Sequence, residues 1–261
     1  MARWIFVLGV LCGLLGSLQA RSNYCTTSYC RAGVKNVGCN PPPFSGGWLC
    51  AGKNPAVIEI TPARQTLILN EHNTRRSQLA LGQLWPFAPA KRMPTLAWDS
   101  ELAKQAANNA RSCDFKHDKC RNTAMYKYAG QNLAISYFYG MSKSVEALIQ
   151  EGIAGWWNEF KDTTQAQLDK YPNGYTGPAI GHFTQMASDQ TNRIGCAMQY
   201  WKKDYKWETY YLVCDYALTN MIGTAVYKKG PVGSGCTTGI NTSAGLDGLC
   251  NPMEFINPVP N

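Results

Sequence analysis

The sequence predicts an α+β fold held by disulfides. Three observations predict it: helical periodicity in three separate stretches, a pair of alternating apolar runs late in the chain, and an even set of cysteines behind an export signal. The elements follow in chain order.

Residues 1–20 carry Arg3, an apolar run through Leu18 and small residues around Ala20. The run is too short to span a bilayer stably and reads as a cleaved secretory signal, so the protein is expected outside the cell. No later segment approaches about 18 consecutive apolar residues, and no transmembrane anchor is expected. Cys12 leaves with the signal, which turns eleven cysteines into ten. An even count in an exported chain is a disulfide framework, but ten cysteines admit about 945 pairings, so position must select among them. The formal charge of +8 falls by one without Arg3, and the basic residues are scattered. Dispersed charge offers no stripe along a phosphate backbone, which excludes nucleic acid as an expected partner.

From Ser22 to Pro55 the chain shows no periodicity but holds Cys25, Cys30, Cys39 and Cys50 among clusters such as Pro41-Pro42-Pro43. It cannot order itself by burial and must be stapled, as an arm rather than a domain. Pro62 to Ala80 reads as a helix: Pro62 suits a first turn after Thr61, Ile68, His72, Arg75 and Leu79 share a face, and Gly82 stops it. His72, alone on a packed face, reads as a structural histidine.

After a Pro-rich loop over 83–97, Asp99 caps a second helix with Leu102, Ala106, Ala110 and Cys113 in register. A third helix carries Val145, Ile149, Ile153, Trp156 and Phe160, with Ser142 or Ser144 as cap. Gly152 and Gly155 lie on its Glu159 face, where each costs about 1 kcal/mol against Ala, so either another part of the chain or a ligand is expected to approach closely. Residues 161–181 read as a long polar loop, and His182 follows in a Gly-flanked loop of its own.

Ile194, Cys196, Met198 and Tyr200 alternate with polar or small neighbours, as do Tyr210, Leu212, Cys214 and Tyr216. These are two half-buried strands of a hairpin turning near Tyr205, with Cys196 opposite Cys214, Met198 opposite Leu212 and Tyr200 opposite Tyr210. That register predicts the bridge Cys196 to Cys214, worth about 3 kcal/mol in loop entropy. Beyond Asn220 the pattern dissolves into an exposed tail, where Cys236 and Cys250 most simply pair and Asn241-Thr242-Ser243 is a glycosylation sequon.

Four motifs in order, His72-Asn73 followed by Arg76, Gly130-Gln131-Asn132-Leu133, Gly181-His182-Phe183-Thr184-Gln185-Met186 and Tyr211-Leu212-Val213-Cys214-Asp215-Tyr216, resemble the CAP superfamily over about residues 60 to 220. The arm, with Asn23-Tyr24-Cys25, Cys30, Gly38-Cys39 and Cys50, resembles the antigen-five group of insect venom and saliva proteins. Met186-Ala187-Ser188-Asp189 is closest in style to members from flies and midges. The resemblance implies a three-layer α-β-α sandwich with a mostly antiparallel central sheet, an allergen-like secreted protein, and the bridges Cys25 to Cys39, Cys30 to Cys120, Cys50 to Cys113 and Cys196 to Cys214. Cys236 to Cys250 lies outside that pattern and rests on elimination. The corresponding organisation is a signal over 1–20, an arm over 21–58, the family domain over 59–222 and an irregular extension over 223–261. The cysteine-rich module that follows the core in reproductive and snake-venom relatives cannot be built from two cysteines.

The resemblance also implies a cleft with two histidines and two glutamates. By motif these are His117, His182 and Glu159, while Gln131 replaces the second glutamate. His117 and His182 are the residues that would hold a metal, zinc or copper, although no cofactor is required. Gln131 cannot act as a general base, because an amide does not accept a proton near neutral pH. Ser188 lies in no nucleophile elbow, so a serine hydrolase is not expected and no catalytic residue is assigned. The expected function is a non-enzymatic, monomeric binding protein that meets host proteins. The alternatives are a carrier of lipid, sterol or small mediators, and a metal-dependent hydrolase or redox enzyme.

Overall fold

In the computed structural model, residues 23–26, 28–140, 143–204 and 206–258 are described. The expected signal over 1–20, the candidate cap Ser142 and the turn residue Tyr205 lie outside them.

The late hairpin forms in the expected register. Strands β4 (Arg193–Lys202) and β5 (Trp207–Tyr216) pair antiparallel with Cys196 opposite Cys214, Met198 opposite Leu212 and Tyr200 opposite Tyr210. The strands are buried on both faces, however, rather than half-buried. Cys196, Met198, Leu212, Cys214 and Tyr216 enter one core, and Ala197, Trp201, Tyr211 and Val213 enter another. A sheet buried on both faces needs a layer on each side, and the three-layer α-β-α arrangement supplies it.

The remaining strands are β1 (Ala56–Ile58), β2 (Ala97–Trp98) and β3 (Gly130–Tyr139). The sheet runs β1-β4-β5-β3, all antiparallel, with β2 parallel to the start of β4. Alternation does not reveal β3, because its buried end is the polar Gln131-Asn132.

Helix α1 (Pro62–Ala80) begins where Thr61 Oγ1 accepts the Arg64 N–H, and it stops before Gly82, whose φ of 70° suits glycine. Ile68, His72 and Leu79 are buried as expected. The buried arginine of this helix is Arg76 rather than Arg75: its guanidinium donates to the carbonyls of Met186, Ser188, Pro94 and Thr191. Arg75 is only half-buried and pairs with Glu71.

Helix α2 (Ser100–Ala110) starts where Asp99 Oδ1 accepts the N–H groups of Glu101 and Leu102. It packs on one face of the sheet so closely that a Cβ on Gly195 would stand 2.1 Å from Ala103 N. Cys113 lies beyond the helix at φ 56°, so it is not the fourth member of the helical face. Helix α3 (Val145–Asn158) is capped by Ser144, whose Oγ accepts the Ala147 N–H. It lies on the other face with α1. The approach to Gly152 is by the side chains of Leu212 and Ala134, whereas nothing comes near Gly155.

The segment 161–181 is not one loop. A 3-10 turn over Glu159–Asp162 and helix α4 (Gln165–Asp169), with a Thr164/Gln167 capping box, occupy its first half. Gly181–Ala187 is helix α5 rather than a loop.

Five bridges are formed: Cys25–Cys39, Cys30–Cys120, Cys50–Cys113, Cys196–Cys214 and Cys236–Cys250. Cys30–Cys120 and Cys50–Cys113 span 90 and 63 residues and fasten the arm to the core. Loops of that length restrict the unfolded chain by about 4–5 kcal/mol each, against about 3 for the short bridges.

The segment after Asn220 is irregular but not an exposed tail. Val226, Tyr227 and Leu249 join the main core. Glu254 is buried and accepts from the N–H and hydroxyl groups of Thr237 and Thr238 and from Arg92. Burial alone would raise that carboxyl, but these donors bring it down to about 2. Asn241, expected on a free tail, is 6 % exposed, and its Nδ2 donates to Thr95 Oγ1 at 3.0 Å. The nitrogen that a glycan would need is therefore turned into the protein.

Candidate functional site

Helix α3 gives way to the 3-10 turn at Glu159, and this places the Glu159 carboxylate under the first turn of α5. Oε2 accepts the backbone N–H groups of His182 and Phe183 at 2.8 and 3.1 Å, and Oε1 lies 2.6 Å from His182 Nδ1. Helix α5 has no capping side chain of its own. Glu159 does that work from 23 residues away, satisfying N–H groups that the helix cannot pair and setting charge against its positive end. The same carboxylate makes Nδ1 of His182 a protonated nitrogen and sets the ring with its Nε2 edge to the cleft. Trp156 stacks against the ring, its indole N–H held by the Leu133 carbonyl at 2.9 Å.

His117 is oriented in the same sense by an amide. Its Nδ1 donates to Gln131 Oε1 at 2.8 Å, and the amide nitrogen of Gln131 donates to Asp118 Oδ2 and Asp215 Oδ1 at 2.8 and 2.9 Å. Asp118 also receives Arg121 Nε and Asn109 Nδ2, and the Tyr211 hydroxyl donates to Asn109 Oδ1. Burial pushes the Asp215 carboxyl well above the carboxylate range, with Asp118 adding to it against the opposing pull of Arg121 and Gln131. Its Oδ2 has no hydrogen-bond partner. Desolvation of the inner ring edge lowers His117, the Gln131 hydrogen bond opposing it. At neutral pH His117 is therefore a neutral imidazole with its bare Nε2 outward.

The cleft encloses about 420 Å³ and is lined by His117, Gln131 and His182, with Arg121, Asn132 and Tyr171 beside them. The structure thus brings three of the four expected residues to the wall and sets Glu159 behind His182 as its orienting group. Local sequence pattern does not mark Asp118, Asp215 or Arg121 as site residues, although Asp118 adjoins His117 and Asp215 follows Cys214 within the Tyr211–Tyr216 motif. His72 is not part of the site. Its Nδ1 donates to the Ile68 carbonyl at 2.8 Å and its Nε2 accepts the Tyr216 hydroxyl at 2.9 Å, while burial lowers it to about 4. Tyr216 in turn accepts from Asn132 Nδ2, which also reaches the His182 carbonyl, so the buried α1 histidine braces α5 across the sheet. Ser188 Oγ accepts the Gln190 N–H and has no histidine partner among the described residues.

A zinc or copper ion would find two donors here, the Nε2 atoms of His117 and His182. Both oxygens of Glu159 are already committed, Gln131 offers no charge, and no group of three His, Cys, Asp or Glu side chains converges among the described residues. Two imidazoles fall short of the three or four protein ligands of a catalytic or structural zinc site.

The family model described as CAP, the cysteine-rich secretory protein family, matches residues 69–216. Venom allergen-1 of Aedes albopictus is 45% identical over 93% of this chain and 91% of its own. The antigen 5 like allergen Cul n 1 of Culicoides nubeculosus is 36% identical over 70% of this chain and 85% of its own. Among solved structures, NaASP2 with Zn2+ aligns with a TM-score of 0.59 and 27% identity, covering 81% of this chain and 100% of that one.

Proposed function

The chain belongs to the CAP family of cysteine-rich secretory proteins, and from that premise we propose that it is a secreted, antigen-five-like protein that acts on a host by binding rather than by turnover. The observation that carries this reading is the commitment of the cleft's carboxylate. Glu159 spends both oxygens on α5 and His182, and an amide stands where a second carboxylate would be, so no carboxylate is free to act as a base in the cleft. What the cleft does offer is two bare imidazole acceptors on a braced frame.

Such a pair is complementary to a small ligand with two N–H or O–H donors, an amine or a diol, and its fixed geometry lowers the entropy lost on binding. The signal read at 1–20 and the five bridges support export. Relatives named as allergens support contact with a host. Calorimetry with a panel of small aromatic amines and diols tests the binding reading. Binding that weakens about tenfold in both His117→Ala and His182→Ala supports it. Absence of binding, with His182-dependent hydrolysis of ester or phosphate substrates, overturns it.

One observation favours a second reading. The two Nε2 atoms could share a zinc ion completed by water, and a relative of 27% identity has been solved with Zn2+. Zinc titration separates the two. Saturable binding lost in His182→Ala favours the metal, and unchanged weak binding in that variant removes it.

A further inference from the structure

A second cavity lies on the far side of Arg121, between the amino-terminal arm and the segment that leads into β3. It encloses about 710 Å³, within the range of small-molecule sites. Four cations line it, Arg31, Lys119, Arg121 and Lys127, together with the rings of Tyr29 and Tyr128, and no carboxylate does. Arg121 is neutralised by Asp118 at 3.0 Å. Arg31, Lys119 and Lys127 have no carboxylate within ion-pair distance among the described residues. Lys127 lies over the Tyr29 ring, 4.8 Å from its centroid, and Tyr128 is 46 % exposed at the wall.

The walls are fixed. Cys30–Cys120 joins the arm to the opposite side of the cavity. Asn122 ties them again: its Nδ2 donates to the Tyr29 carbonyl at 2.7 Å and its Oδ1 accepts the Ala129 N–H at 3.2 Å. The Tyr128 carbonyl accepts the Thr219 N–H at 2.7 Å. Three like charges kept together on a rigid frame repel one another, and an anion relieves that repulsion. Arginine and lysine together suit the tetrahedral oxyanion of a sulfate or phosphate ester, and exposed tyrosine faces suit an aromatic body beside it.

We propose that this arm pocket is a binding site for small aromatic oxyanions, aryl sulfates or aryl phosphates, separate from the histidine cleft. The oxyanion sits among Arg31, Lys119 and Lys127, and the ring packs against Tyr128 with Tyr29 and its Lys127 cap behind. The cavity needs the arm, so the site exists only while Cys30–Cys120 is intact.

The test titrates the oxidised full chain with 4-nitrophenyl sulfate, 4-nitrophenyl phosphate and inorganic sulfate by calorimetry at low salt. At least one nitrophenyl ester is expected to bind about tenfold or more tightly than inorganic sulfate, with affinity falling as salt rises. The triple variant Arg31→Ala, Lys119→Ala, Lys127→Ala, shown to be folded by circular dichroism and by five intact bridges, is expected to lose at least about tenfold in affinity. His182→Ala is expected to bind the esters as the unsubstituted chain does. If the triple variant does not fold, the single variant Lys119→Ala, at an exposed position, replaces it with an expected loss of about threefold. Ester binding that is absent, equal to that of inorganic sulfate, unchanged in the charge variants or abolished by His182→Ala would overturn the proposal.

Discussion

His182 Nδ1 stands 2.6 Å from Glu159 Oε1, and the other oxygen of Glu159 holds the first N–H groups of the helix on which His182 sits. One carboxylate thus fixes the tautomer of a cleft histidine and anchors its backbone. An amide at this position could accept through one oxygen only. Glu159→Gln is expected to lower stability by about 1–2 kcal/mol, as loss of a charged helix cap does. Urea unfolding measures it, and an unchanged midpoint would show that α5 is held by other contacts.

Gln131 occupies the equivalent position beside His117 but serves two acidic neighbours as a donor. Gln131→Glu would remove both of its N–H bonds and set a third carboxyl against Asp118 and Asp215. The expected result is a loss of roughly 2–4 kcal/mol together with a rise in the His117 pKa, since Nδ1 would then face an anion. Denaturant unfolding and NMR titration of the imidazole give the two readouts. A stable variant with an unmoved His117 contradicts the network.

Buried His72, lowered to about 4, makes the fold acid-sensitive. A histidine whose folded pKa lies below its unfolded value of about 6.5 contributes no pH-dependent loss above that value. As pH falls from about 6.5 to about 4 the unfolded chain takes the proton and the folded chain refuses it, a loss of about 3 kcal/mol in total. His117, also lowered, adds a smaller loss beginning at the same upper limit. Asp215, whose raised carboxyl regains stability as pH falls, acts in the opposite sense. The contribution of His72 is therefore read as a difference, with His72→Gln expected to lose less stability than the unsubstituted chain between pH 7 and 4.

Asn241 turns its amide nitrogen to Thr95 inside the fold. Glycopeptide mass spectrometry of the protein from secreting insect cells is expected to find Asn241 unmodified. Asn241→Gln is expected to destabilise by about 1 kcal/mol through loss of that hydrogen bond.

The hairpin was legible to the residue, because a two-residue period with cysteines at mirrored positions admits one register. Two helices and their caps were legible for similar local reasons, at Thr61 and Asp99. What escaped depends on partners distant in sequence. Strand β3 buries Gln131 and Asn132, which look exposed until Asp118, Asp215 and Tyr216 arrive to bond them. Helix α5 has no cap within its own segment, since Glu159 supplies it from α3. Arg76 replaced Arg75 as the buried arginine because four loop carbonyls converge on it. Glu254 likewise anchors the last segment through donors invisible in a Gly- and Thr-rich sequence.

The most direct test of the cleft as a pair of neutral acceptors is a long-range proton–nitrogen NMR spectrum of the three histidines near pH 7.5, recorded while a small aromatic amine is added. The predicted spectrum shows Nδ1–H and a bare Nε2 for all three, with the Nε2 signals of His117 and His182 moving on titration and that of buried His72 fixed. Protonated Nε2 on either cleft histidine, or cleft signals that stay still while the amine binds elsewhere, would contradict it.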